Sequence, residues 1–138
     1  MDHLAILSKG KLLSKILSGE KTIESRWYVS RKTPYMNIAE GDSVYFKESG
    51  SPVTASAKVS KALFFRDLDK NKIESILHEY GKQICVPLSF ASELSGKRFC
   101  TLVFLKDVKP INPFSIDKEG YGLMAAWITV DNISSIRA

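Results

Sequence analysis

The sequence predicts an α+β fold, and three observations carry that reading. Val53, Ala55, Ala57 and Val59 alternate with Thr54, Ser56, Lys58 and Ser60, the period of two that a half-buried strand requires. A denser apolar run, Arg98 to Val108, puts Phe99, Thr101, Val103 and Leu105 on one side and Cys100, Leu102 and Phe104 on the other. A strand of that composition is covered on both faces. Two stripes at helical spacing, Leu12, Leu13, Ile16 and Leu17, then Ile73, Ile76, Leu77 and Tyr80, supply helices to cover it.

Taken in order, His3 to Leu7 is a short apolar run and the first strand. Ser8 caps a helix that Gly19 ends, because a helix C-terminus favours a residue tolerant of positive φ. Its lysines, Lys9, Lys11 and Lys15, lie off the apolar stripe. A strand opens at Thr22, with Thr22, Glu24 and Arg26 on one face and Ile23, Ser25 and Trp27 on the other. Lys21 has the parity of the second face, so it joins Glu24 and Arg26 only if Gly19 and Glu20 form a turn that re-aims it. Tyr28 to Glu40 reads as a loop, polar, basic and aromatic at once, with Pro34 opposing regular structure. Asp42 to Lys47 is a strand with Val44 and Phe46 inward, and Glu48 to Pro52 is a hairpin turn.

The Val53–Val59 strand extends through Ala62, Leu63, Phe64 and Phe65. The next helix is capped by Asp67 or Asp69 and stopped by Gly81. His78, Glu74 and Glu79 sit on its solvent side. Ser89 to Ser95 forms a short helix between a serine cap and Gly96. Lys109 to Phe114, with two prolines, reads as an irregular loop after the Arg98–Val108 strand. Gly120, Tyr121 and Gly122 mark a turn before a last strand, Leu123 to Val130, and Asp131 or Asn132 caps a closing turn at Ile133 to Ile136. The Val53–Val59 and Phe99–Leu105 alternations are expected to share one continuous core, closed at one end by the Ser8–Ser18 helix.

A chain of 138 residues fits a single domain, 1–138, with a core of its own. Its net charge of +5 favours polyanion partners. No apolar run approaches the ~20 residues that cross a bilayer, and the N-terminus lacks a secretory pattern. The expectation is a cytoplasmic monomer away from membranes. Cys85 and Cys100 stand in apolar settings without CxxC spacing or a Cys/His cluster, so no metal and no cofactor are expected. No nucleophile elbow, HExxH, P-loop or Rossmann pattern is present. Neither His3 nor His78 is placed to serve a serine or cysteine nucleophile.

One stretch stands apart: Gly19-x-Lys21-x-x-Glu24-x-Arg26 gathers charges of both signs beside Trp27 at a helix-to-strand junction. Its plainest reading is a surface ion pair, worth only ~0–1 kcal/mol. The pattern resembles the G-x-K-x-x-E-x-R signature of the ASCH domain, a relative of the PUA domain. The likeness continues through Gly41-Asp42-Ser43-Val44-Tyr45-Phe46, similar to the strand that follows in such domains. The resemblance implies a small mixed β-barrel of PUA-like type with two main helices packed around it. It also implies RNA binding in a cleft beside the motif.

In that cleft Lys21 and Arg26 would hold phosphate or a base edge. Glu24 would orient the arginine or accept from a base amine, and Trp27 or Trp127 would give a stacking wall. Read from the residues themselves, Tyr28 and Tyr35 offer further rings, while Arg31 and Lys32 meet phosphates, a combination suited to single-stranded nucleic acid. Lys47 is counted among these nucleic-acid contacts. The favoured reading is therefore a module for RNA or a nucleotide. The alternative is a small hydrolase, amidohydrolase or nuclease, acting on a modified nucleoside or RNA. In the amidohydrolase branch that the chain resembles, the motif lysine works with a threonine where Glu24 stands here. That departure removes a hydroxyl nucleophile and leaves a Lys21–Glu24 pair to activate water by general base catalysis. A peptide or protein partner in the cleft is a third reading.

Overall fold

The computed structural model describes residues 1–118, 120, 121 and 125–138. Six strands, β1 (Asp2–Leu7), β2 (Ile23–Tyr28), β3 (Ser43–Glu48), β4 (Val53–Phe65), β5 (Phe99–Phe114) and β6 (Trp127–Val130), form one sheet in the order β2-β5-β4-β3-β1-β6. Only β1 and β3 run parallel; the other neighbours are antiparallel. The sheet curls into a half-barrel with β2 and β6 at its two edges. Register shifts along β4, at Val53/Ala55, Ser56/Lys58 and Val59/Lys61, supply the bend. Ala55 and Ala57 keep its concave side low enough for close packing.

Three apolar clusters replace the single continuous core. Inside the curl, Ala5, Leu7, Ile16, Ile38, Val44, Phe46, Ala55, Ala57, Val59, Val103 and Trp127 pack together, and helix α1 (Leu12–Ser18) closes one end. On the convex side, Ile23, Cys100 and Leu102 pack under helix α2 (Lys70–Ile84). Val53 belongs to the third cluster, with Leu4, Phe114, Ile128 and the short 3₁₀ turn Ile133–Ile136. The irregularity between Val53 and Ala55 turns two residues of equal parity to different clusters.

The structure corrects several element boundaries. Helix α1 starts at Leu12 with Lys11 in the cap position, so Ser8 caps nothing. With only seven residues it buries a narrow stripe, and Leu17 is left 40% exposed. Asp69, not Asp67, caps α2, its carboxylate accepting the Lys72 N–H at 2.8 Å. Gly81 lies inside α2 rather than at its end, because a Cβ there would come within 2.8 Å of the Val86 carbonyl oxygen. Cys85, left-handed at φ 60°, ends the helix instead. The segment after it is a 3₁₀ helix, Leu88–Leu94, without a serine side-chain cap. Strand β5 continues through Lys109–Phe114 despite Pro110 and Pro113. Beyond Phe104 it has no β2 residue opposite, so a proline costs no ladder bond on that side. The last strand starts at Trp127; Gly122, Leu123 and Met124 lie outside the described residues.

Candidate functional site

Gly19, left-handed at φ 84°, ends α1 with its N–H on the Ile16 carbonyl. The Lys21 N–H then bonds back to Lys15 O at 2.9 Å, and the Thr22 N–H bonds to Gln83 O at 3.0 Å. This double anchoring supplies the turn on which the position of Lys21 depends. Its ammonium reaches inward, donating to Ile84 O at 2.8 Å and standing 3.5 Å from Glu24 Oε1. Lys21 is 3% exposed and Glu24 5%. A surface pair would be nearly free of consequence, whereas burial makes each charge depend on its partner.

Arg26 follows Glu24 on the same face of β2 and reaches across the open side of the half-barrel. Its Nη1 donates to Ala126 O at 3.1 Å and its Nη2 to Ile6 O at 3.3 Å. One guanidinium thus ties the β2 edge to β1 and to the residue preceding β6. It also lies 5.1 Å from the ring centre of Trp127 and, through Nη2, 3.6 Å from Glu24 Oε2. Lys21, Glu24, Arg26 and Trp127 therefore form one interior group.

The loop after β2 builds a second group at the far end of the same face. Thr33 and Pro34 are joined by a cis peptide. Tyr35 sits edge-on to Phe64 and Phe99, with ring centres 5.6 and 5.1 Å away. Arg31 covers the Tyr35 ring at 5.3 Å, and Lys32 the Tyr28 ring at 5.7 Å. Arg31, Tyr35, Phe64, Arg66 and Phe99 line a cavity of about 450 Å³ with Met36 and Asp67.

Two of the expected contacts are placed elsewhere. Trp27 packs with the convex cluster under α2, its indole N–H on Ser25 Oγ at 3.0 Å. Lys47 pairs with Ile6, whose side chain joins the third cluster, and burial followed by repulsion from Lys118 lowers its pKa.

No family model matches the sequence, and no curated protein does. Among solved structures, an ASCH protein from Zymomonas mobilis has a TM-score of 0.71 to this chain at 17% identity, covering 99% of this chain and 96% of that one. A serine-to-alanine variant of that protein gives 0.72 at 18% identity, over 97% and 91% of the two chains. A structure described as a hypothetical protein gives 0.53 at 17% identity, over 80% and 100%. The fold is that of an ASCH domain.

Within this ASCH fold, sequence reasoning missed two parts of the interior. The first is His3, fully buried, which shares the inward parity of Ala5 and Leu7 on β1. Its Nε2 lies 2.8 Å from Asp42 Oδ2, and its Nδ1 accepts the Trp127 indole N–H at 3.1 Å. An indole can only donate, so the imidazole proton sits on Nε2, facing Asp42. Thr129 Oγ1 lies 3.0 Å from Nδ1 and 2.9 Å from Thr33 Oγ1. Burial lowers the His3 pKa, against the pull of Asp42. Burial pushes the Asp42 carboxyl up, but bonds from His3, the Ala39 N–H and the amino terminus together hold it below its usual value. The alternation of His3, Ala5 and Leu7 was the available signal for this network.

The second is Thr101, 1% exposed, opposite Arg26 on β2 and opposite Phe64 on β4. It lies on the floor between the motif group and the aromatic group. An ordinary threonine within a strand alternation gave no sign of that.

Proposed function

We propose that this protein binds RNA, taking a single-stranded segment across the loop Val29–Asn37 and the cavity beside it. The observation that carries the reading is that cavity: rings of Tyr35, Phe64 and Phe99 beside the guanidinium groups of Arg31 and Arg66, at the end of the motif strand's concave face. Aromatic faces stack bases whatever their identity, and guanidinium groups meet phosphates. The net charge of +5 and the likeness to ASCH domains support the same reading. Arg31 and Lys32 act as phosphate contacts and Tyr35 as the stacking ring. Lys21 and Glu24 support Arg26 from within.

Titration of labelled single-stranded and duplex RNA at low and high salt tests this. Affinity is expected to fall steeply with salt and to favour single strands. Tyr35→Ala is expected to cost ~1–3 kcal/mol of binding, the usual worth of one stacked base. Absence of binding at both salt concentrations would remove the reading.

A second reading, a nucleoside hydrolase, is favoured by one feature: the buried Lys21 ammonium 3.5 Å from the Glu24 carboxylate. Lys21→Arg separates the two, since arginine keeps the charge but cannot act as a base. Incubation with acylated and unmodified nucleosides, followed by chromatography, is expected to give no product with either protein, because Glu24 stands where the resembling enzymes carry a hydroxyl. Product from the wild type alone would establish the enzyme.

A further inference from the structure

Two polar atoms of the interior are sealed from solvent without a hydrogen-bond partner: Glu24 Oε2 and Thr101 Oγ1. They belong to one surface. The β2–β5 register sets Thr101 opposite Arg26 and Val103 opposite Glu24, which makes Thr101 the diagonal neighbour of Glu24 on the same face. Diagonal positions lie roughly 7–8 Å apart, a span that one small planar group can bridge.

The other groups nearby are already engaged. Glu24 Oε1 accepts the Ser25 N–H at 3.1 Å and faces Lys21. Arg26 Nη2, 3.6 Å from Glu24 Oε2, balances its charge but spends its hydrogen bond on Ile6 O. What remains is one carboxylate acceptor, charge-matched, and one hydroxyl free to donate or accept. Leaving such buried groups unmade is costly, and a site that carries two together is built for something that completes them.

We propose that Glu24 and Thr101 read the edge of one unstacked nucleobase. They would select bases with an exocyclic amine beside an unprotonated ring nitrogen, cytosine or adenine, over their keto counterparts. The inference rests on the RNA-binding reading and assigns base selection within it. The amine donates to Glu24 Oε2, and the Thr101 hydroxyl donates to the ring nitrogen. A keto oxygen in place of the amine would set lone pair against carboxylate. Phe64, opposite Thr101 on β4 and in contact with Tyr35, leads from the aromatic cavity to this pair. The incoming base displaces the Arg26 guanidinium from Glu24, and Lys21 keeps the carboxylate charge matched meanwhile.

The test compares single-stranded oligocytidylate and oligouridylate of equal length by fluorescence anisotropy. The proteins are wild type, Thr101→Val and Glu24→Gln. The wild type is expected to prefer cytidylate by about tenfold or more. Thr101→Val, close in shape and so expected to fold, should lose most of that preference while its salt dependence stays unchanged. Glu24→Gln, whose amide can turn a donor toward a keto oxygen, should erase or invert it. Equal affinity of the wild type for both oligomers would overturn the inference and leave RNA binding standing. A wild-type preference retained in Thr101→Val would do the same, showing that the two orphan atoms hold only water. Failure to bind either oligomer would sink the RNA reading, and base selection with it.

Discussion

The half-barrel interior holds two polar groups of opposite character, and Trp127 touches both. At one end His3, Asp42, Thr33, Thr129 and the Trp127 indole N–H bond to one another. His3 offers one ring nitrogen as donor and one as acceptor, and both are used. At the other end Lys21, Glu24 and Arg26 carry full charges, and Glu24 keeps one oxygen unbonded. Burial costs both groups desolvation, but only the first recovers it through bonds within the chain. A closed network of neutral or matched partners fixes the strands β1, β3 and β6 on one another. An open one stores an unmet bond that a ligand can make.

The largest expected effect tests how far the charged group depends on pairing. Lys21→Met leaves Glu24 buried without its cation and is expected to destabilise by about 3–5 kcal/mol. Lys21→Met with Glu24→Leu should recover most of that in urea unfolding. A loss below about 1 kcal/mol for the single variant would mean that the pair behaves as a surface ion pair.

Next in size is the closed network. His3→Ala orphans the Trp127 N–H and an Asp42 oxygen at once, and a cost of about 2–3 kcal/mol is expected. Because Trp127 also carries Arg26, this variant should weaken RNA binding as well, while Lys32→Ala should weaken binding without lowering the melting temperature.

A smaller effect is the pH dependence. The folded pKa of His3 lies below its unfolded value, so the unfolded chain takes up the proton first as pH falls. Stability from this residue is full above about pH 6.5 and declines below it, down through the folded pKa. Asp42, also held low, adds a loss only in the acid range beneath the ordinary carboxylate pKa. Melting temperatures between neutral pH and about pH 5 should show the first decline in the wild type and not in His3→Ala. An equal slope in both would remove His3 as its source.

The smallest expected change in stability, about 0–1 kcal/mol in either direction, belongs to Thr101→Val, since the hydroxyl it removes makes no bond to lose. A loss well beyond that would mean that Thr101 has an internal partner after all. The contrast between the two groups would then weaken.

Much of the architecture could be read from local pattern. The alternation of β4 and β5, the stripe of α2, the Asp69 cap and the Gly19 turn each record a preference that acts over a few residues. The motif likeness, Gly19 to Arg26 with Gly41 to Phe46, extended that reading to an ASCH-type half-barrel. The prolines of β5 misled because their cost depends on whether a strand lies opposite, which only the sheet order decides. Gly81 misled for a similar reason: its missing Cβ makes room for the Val86 carbonyl, a contact made after the helix has ended.

The chemistry of the interior was settled by tertiary structure alone. Lys21 has the wrong parity for its partner until the Thr22–Gln83 bond pins the strand's start to the end of α2. His3 meets Asp42 because β1 and β3 run side by side, and Thr129 because β6 pairs on the other flank. Arg26 finds its two carbonyl partners only because the sheet curls far enough to bring β2 back toward β1. Side-chain period fixes which way a residue points from its own strand. What it points at depends on how far the sheet bends, and that follows from bulges, small residues and the burial of three separate cores.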